Sequence, residues 1–87
     1  MKPPIRILVV EDDADLLRAT SRTLVQAGYA VGAASAGAEV LPALRQQPAQ
    51  LVLLDRQLPD VDGLEICRQI KVDPALTEVF VVITSAT

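Results

Sequence analysis

Leu51-Val52-Leu53-Leu54-Asp55-Arg56-Gln57-Leu58-Pro59-Asp60 is the stretch on which the fold turns. Four apolar residues run unbroken into one carboxylate, and turn-forming residues follow. A short continuous apolar run bounded by turn signals suits a strand buried on both faces. Such a strand meets water at its C-terminal edge, where Asp55 stands. In open parallel sheets that edge is where ligands bind. An Asp opening an ordinary turn is the plain alternative, since Asp favours turns.

Working outward, Ile5-Arg6-Ile7-Leu8-Val9-Val10 is a second β-type apolar run, and it ends in Glu11-Asp12-Asp13. If the two strands are neighbours, Glu11, Asp12 and Asp55 converge. Three carboxylates at close range either raise one pKa or recruit a cation. The chain has no His and one Cys, so a hard, oxygen-liking ion is expected, and Mg2+ fits best. A solvated acidic helix start explains such a run equally simply, and Asp13 is read that way. A third run, Val79-Phe80-Val81-Val82-Ile83, ends in Thr84-Ser85-Ala86. Its hydroxyls are a polar strand end, or donors to an oxygen of whatever occupies the acidic site.

The intervening segments read as helices. The first is capped by Asp12 or Asp13 and runs to about Ala27. Its expected inward face is Leu17, Leu24 and Val25, with Thr20 or Ser21 between them, and Gly28 stops it. Tyr29 to Ala34 is a weaker strand of small residues, suited to a sheet edge. Ser35 to Gln46 is a second helix, with Ser35 as candidate cap and Val40, Leu41 and Leu44 inward. Pro42 in its interior would cost about 3 kcal/mol, so the helix either starts late or kinks. Asp62 and Glu65 form a capping pair for a third helix, about Gly63 to Lys71, with Leu64, Cys67 and Ile70 on one side. The βαβαβαβ pattern implies a parallel, doubly wound α/β sheet with helices on both faces.

Eighty-seven residues allow one small domain. Half the residues are hydrophobic, enough for a core, although Tyr29 and Phe80 are the only aromatics. A net charge of −3 argues against non-specific nucleic-acid binding and offers no basic patch to an anionic membrane. No apolar segment is long enough to span a bilayer, and no signal-peptide core precedes Glu11. A cytoplasmic protein is expected. Cys67 is alone, so neither an internal disulfide nor a cysteine metal site is expected.

Three features together, Val9-Val10-Glu11-Asp12-Asp13, Leu53-Leu54-Asp55 with Pro59 and Gly63 behind it, and Ile83-Thr84-Ser85-Ala86, are similar in order and spacing to the receiver domain of two-component response regulators. The resemblance spans the whole chain. It implies a flavodoxin-like sheet whose full strand order is 2-1-3-4-5, here truncated to 2-1-3-4. Residues 1–87 are expected to lack the family's last helix, strand and helix, and with them its active-site Lys and switch aromatic. It also implies that Asp55 accepts a phosphoryl group from a histidine kinase or phosphotransfer protein. Mg2+ would be held by Glu11, Asp12, Asp55 and the backbone carbonyl of Gln57. Thr84, with Ser85 and Ala86 behind it, would respond to the phosphoryl group. Leu58 stands where the family often has Met, and Arg56 stands on the rim.

Other readings remain. A Mg2+-dependent phosphatase of Rossmann-like type wants a second Asp two residues after its nucleophile, where this chain has Gln57. A dinucleotide-binding module wants a Gly-rich turn after the first strand, which is absent. An inert or pseudo-receiver fragment would act only as a dimerisation or interaction module. For that role the unpaired strand Val79–Ile83 is the expected surface of self-association.

Overall fold

A computed structural model of the chain describes residues 2–84; the expectations placed on Ser85 and Ala86 lie outside the described residues. Four parallel strands, β1 (Arg6–Val10), β2 (Ala30–Ala34), β3 (Leu51–Asp55) and β4 (Phe80–Thr84), form one sheet in the order β2-β1-β3-β4. Three helices connect them: α1 (Ala14–Gln26), α2 (Val40–Gln46) and α3 (Gly63–Val72). The alternating apolar runs implied the parallel α/β sheet, and the flavodoxin-like 2-1-3-4 order is the one the family resemblance implied. The weak, small-residue strand β2 takes one edge, as its composition suggested.

The sheet separates two unequal apolar layers. On one side Leu8, Val10, Ala34, Val52 and Leu54 pack with Val40 and Leu44 of α2 and Ile66 and Ile70 of α3. Six of these residues, namely Leu44, Leu54, Ile70, Val10, Val40 and Val52, are essentially sealed from water. On the other side α1 lies against β1 and β2 and has no buried residue of its own. Side chains alternate across a strand, so β3 shows the imbalance directly. Val52 and Leu54 are buried, whereas Leu51 and Leu53 are only half-covered. The expectation of a strand buried on both faces therefore holds for β1, with Ile7, Leu8, Val9 and Val10 all buried, and not for β3. One helix is too narrow to cover four strands.

The helix ends follow their local chemistry. Asp13, rather than Asp12, caps α1, accepting from the amides of Asp15 (3.0 Å) and Leu16 (3.1 Å). That leaves Asp12 free to face the strand ends. The α1 C-terminus closes as a Schellman motif. The Tyr29 amide reaches Leu24 O, the Gly28 amide reaches Val25 O, and Gly28 takes a φ of 100° that side chains disfavour. The second helix starts late. A 3-10 turn, Gly37–Glu39, precedes it, so α2 begins at Val40 and Pro42 sits in its first turn, where a missing N–H costs little. Ser35 is not its cap; its amide and hydroxyl both bond the Glu39 carboxylate.

Three side-chain expectations are corrected. Val25 is 57% exposed and Leu64 is 47% exposed; the inward stripe of α3 is Ile66 and Ile70, with Cys67 half-buried. The Asp62–Glu65 capping pair is one-sided. Asp62 accepts from the Leu64 amide at 2.9 Å, while Glu65 turns to Arg68 rather than back to the cap. Strand β4 begins one residue late, with Val79 buried in the core. The exposed strand is thus Phe80–Thr84, whose Phe80 and Val82 face outward.

Candidate metal and phosphoryl site

Parallel register builds the site. Val10 pairs with Leu54 across β1 and β3, so Glu11, one residue on, comes level with Asp55. Asp55 in turn pairs with Thr84 on β4. Three consecutive positions across the sheet edge thus carry a carboxylate, a carboxylate and a hydroxyl. Asp12 extends the row from the β1–α1 loop. Carboxylate oxygens of Glu11, Asp12 and Asp55 lie within 4.8 Å of one another, as expected if the two strands are neighbours.

Glu11, Asp12, Asp13, Leu16, Asp55, Gln57 and Thr84 line an open cleft of about 480 Å³ at this edge. Among the described residues no basic side chain lines it. Arg56, on the rim, turns away from the carboxylates, its Nε 3.5 Å from Asp62 Oδ1. The negative charge of the cleft is thus uncompensated by the described side chains that line it. Partial burial, together with the neighbouring Asp55 and Asp12 carboxyls, raises the Glu11 pKa, against the lowering effect of the Asp13 amide that donates to it.

Local hydrogen bonds fix the row. The Gln57 amide donates to Asp55 Oδ1 at 3.0 Å, an Asx turn that holds the carboxylate at the strand mouth. The Arg56 amide reaches Thr84 O at 2.9 Å, carrying the β3–β4 pairing past Asp55. Thr84 Oγ1 lies 3.4 Å from Leu54 O, a long contact that leaves the hydroxyl available to another acceptor. Gln57 forms an isolated bridge with Asp62, closing the loop that follows the acid site.

The donor set fits a divalent hard cation. It consists of the oxygens of three carboxylates, without imidazole or thiolate. All three predicted carboxylates come together, and Gln57 and Thr84 line the same cleft. Two residues escaped the sequence reading. Leu16 forms an apolar wall of the cleft, which its place in the first turn of a helix capped by Asp13 would have given. Asp60 in the β3–α3 loop accepts from the amides of Gly37 (2.8 Å) and Ala38 (2.9 Å). Partners 22 and 23 residues upstream leave no local signal.

An open parallel sheet with an acidic cluster at its C-terminal edge defines a receiver-like signalling module. Residues 7–87 match the model of the response regulator receiver domain, and the chain belongs to that family. It is 47% identical over 66 residues to the transcriptional regulatory protein BaeR of Escherichia coli, a match covering 76% of this chain and 28% of that protein. The N-terminal domain of a response regulator receiver protein from Methanoculleus marisnigri superposes with a TM-score of 0.90 at 36% identity, over 94% of this chain and 67% of that one. The Mn(2+)-bound form of response regulator Rcp1 superposes with a TM-score of 0.84 at 29% identity, over 97% and 67% of the two chains. The chain spans less than a third of the length of the first curated relatives it matches.

Proposed function

We propose that this chain is a phosphoacceptor receiver: Asp55 takes a phosphoryl group from the phosphohistidine of a histidine kinase or phosphotransfer protein. The observation that carries this reading is the convergence of Glu11, Asp12 and Asp55 within 4.8 Å beside Thr84, in a chain of the receiver family. An Asp55 oxygen forms the new O–P bond while the N–P bond of the donor breaks. The donor imidazole leaves with the electron pair and takes a proton. Asp55 suits this role because β3 holds it rigidly at an open cleft, and the Gln57 amide orients its carboxylate.

Glu11, Asp12, Asp55 and the Gln57 carbonyl are the groups that would hold Mg2+, and the Mn(2+)-bound form of the similar Rcp1 supports a divalent ion here. A bound Mg2+ supplies the positive charge that lets a carboxylate meet phosphoryl oxygens. Thr84, level with Asp55, would donate its hydroxyl to the attached group, and that contact would distinguish modified from unmodified states. On this reading the chain is a signalling domain rather than an enzyme, and works in the cytoplasm beside its kinase.

Intact mass after incubation with a small acyl phosphate and Mg2+, beside Asp55→Asn, tests the reading. Gain of one phosphoryl group, dependent on Mg2+ and absent from the variant, is expected. A folded wild-type chain that binds Mg2+ but gains no mass would overturn the acceptor role.

A second reading, a self-association module, is favoured by one observation. Phe80, Val82 and Leu16 are all large and exposed, and β4 is an edge strand. Such surfaces recruit other chains.

A further inference from the structure

We propose that Asp60 is a positioning residue for the acid site: its carboxylate clamps the β3–α3 loop onto the start of the α2 segment and so holds the Gln57 end of that loop where it serves Asp55. The inference rests on the phosphoacceptor reading above and adds to it a residue outside the cleft.

Both oxygens of Asp60 are engaged, Oδ1 by the Gly37 amide at 2.8 Å and Oδ2 by the Ala38 amide at 2.9 Å. These are the first amides of the 3-10 turn Gly37–Glu39, and Ala36, at its cap position, offers no side-chain acceptor. Unsatisfied amides at a helical start demand an acceptor, and the chain supplies one from another loop. The approach is close. A Cβ on Gly37 would lie 2.2 Å from Val61 Cγ1 and 3.2 Å from Asp60 Oδ1. Gly37 is buried, and Ile66 of α3 packs there too.

The clamp acts on a short loop that the Gln57–Asp62 bridge closes and that packs Leu58 and Val61 against the core. Its two ends are fixed by the Gln57 amide on Asp55 Oδ1 and by the Gly63 amide on Arg56 O at 2.7 Å. Asp60 is the carboxylate that ties its middle to a different element. Arg45 lines the same groove but pairs with Asp73 at 3.2 Å. The Asp60 charge is therefore met by backbone dipoles; truncating the side chain removes both acceptors, whereas an amide keeps one of the two. Partners that orient ligands from outside the coordination sphere typically hold about 10–100-fold in metal affinity.

The test compares Asp60→Ala and Asp60→Asn with Asp73→Ala in the 87-residue chain. Asp73 caps the turn after α3, accepting from the Ala75 amide at 2.9 Å, and is not among the residues lining the cleft; it also pairs with Arg45, so its loss reports what a cap and that ion pair cost together. Mg2+ affinity by calorimetry and the amide NMR shifts of Gln57 and Leu58 are read on folded protein, with urea stability alongside. The clamp predicts a roughly tenfold or greater rise in the Mg2+ Kd for Asp60→Ala, shifted Gln57 and Leu58 amides, and partial rescue in Asp60→Asn. Asp73→Ala is expected to lose stability with an unchanged Kd. If Asp60→Ala loses stability but keeps its Kd and loop shifts, Asp60 is merely a cap and the clamp is overturned. If the Kd holds while the loop shifts move, the clamp does not serve the acid site and is overturned as well. A folded wild-type chain that binds no Mg2+ overturns the underlying site reading itself, a result told apart by the unmutated protein.

Discussion

Asp55 and Thr84 stand opposite each other in the parallel pairing of β3 and β4, and the Arg56 amide donates to Thr84 O one step beyond. The Asp55 carboxylate and the Thr84 hydroxyl therefore share one rigid frame. Thr84→Val is expected to leave the Mg2+ Kd within about twofold while changing the lifetime of the phosphorylated form. Time-resolved intact mass checks this. An unchanged lifetime would remove Thr84 from the response to phosphorylation.

Glu11 carries the clearest electrostatic cost in the chain. Its pKa is raised by burial and by Asp55 and Asp12. A raised carboxyl pKa favours the folded state at low pH, and that contribution is lost as pH rises through the folded value. At neutral pH Glu11 is therefore a liability to the metal-free fold. Glu11→Gln should raise the metal-free Tm at pH 7, with the gain shrinking toward pH 4. The same variant should bind Mg2+ more weakly. Calorimetric scans across pH with chelator, and titrations without it, read both effects. A variant less stable than wild type at pH 7 would contradict this account.

Gly63 opens α3 directly beneath the site. A Cβ there would sit 2.5 Å from Asp55 O and 2.8 Å from Arg56 Cα, both backbone, so the loop itself must shift. Gly63→Ala is expected to cost about 1–3 kcal/mol and to weaken Mg2+ binding together with stability. Urea midpoints with an unchanged m-value would establish the first. Wild-type stability would show that the loop yields more easily than the packing implies.

Most of the fold was legible because each buried strand is an apolar run that ends in a charged or hydroxyl residue. Val9-Val10-Glu11 and Leu53-Leu54-Asp55 mark both the strand and its chemically active end. What could not be read locally was which helix covers which face. Val25 and Leu64 fit the helical periodicity of α1 and α3, yet they are exposed, because the covering layer depends on packing between elements. Pro42 posed a choice that the sequence left open; the 3-10 turn before α2 settled it. Asp60 was invisible because its partners lie on another loop.

The thinly covered side of the sheet makes a further prediction. Phe80 is 72% exposed on the strand at the edge of the described four-stranded sheet. Phe80→Lys should shift the chain toward monomer in light scattering, with stability changed by less than about 0.5 kcal/mol. Val52→Ala, on the sealed face, should cost about 2 kcal/mol or more without altering association. A wild-type chain that is monomeric at high concentration would sink the self-association reading.

The level row of Glu11, Asp55 and Thr84 has a last consequence. It exists only in one alignment of β3 against β1 and β4. A slip of one residue would send the Asp55 carboxylate to the opposite face. Cation affinity is therefore a gauge of strand alignment. During refolding, the moment at which the chain first captures a divalent ion would time-stamp the locking of β3 between its two neighbours.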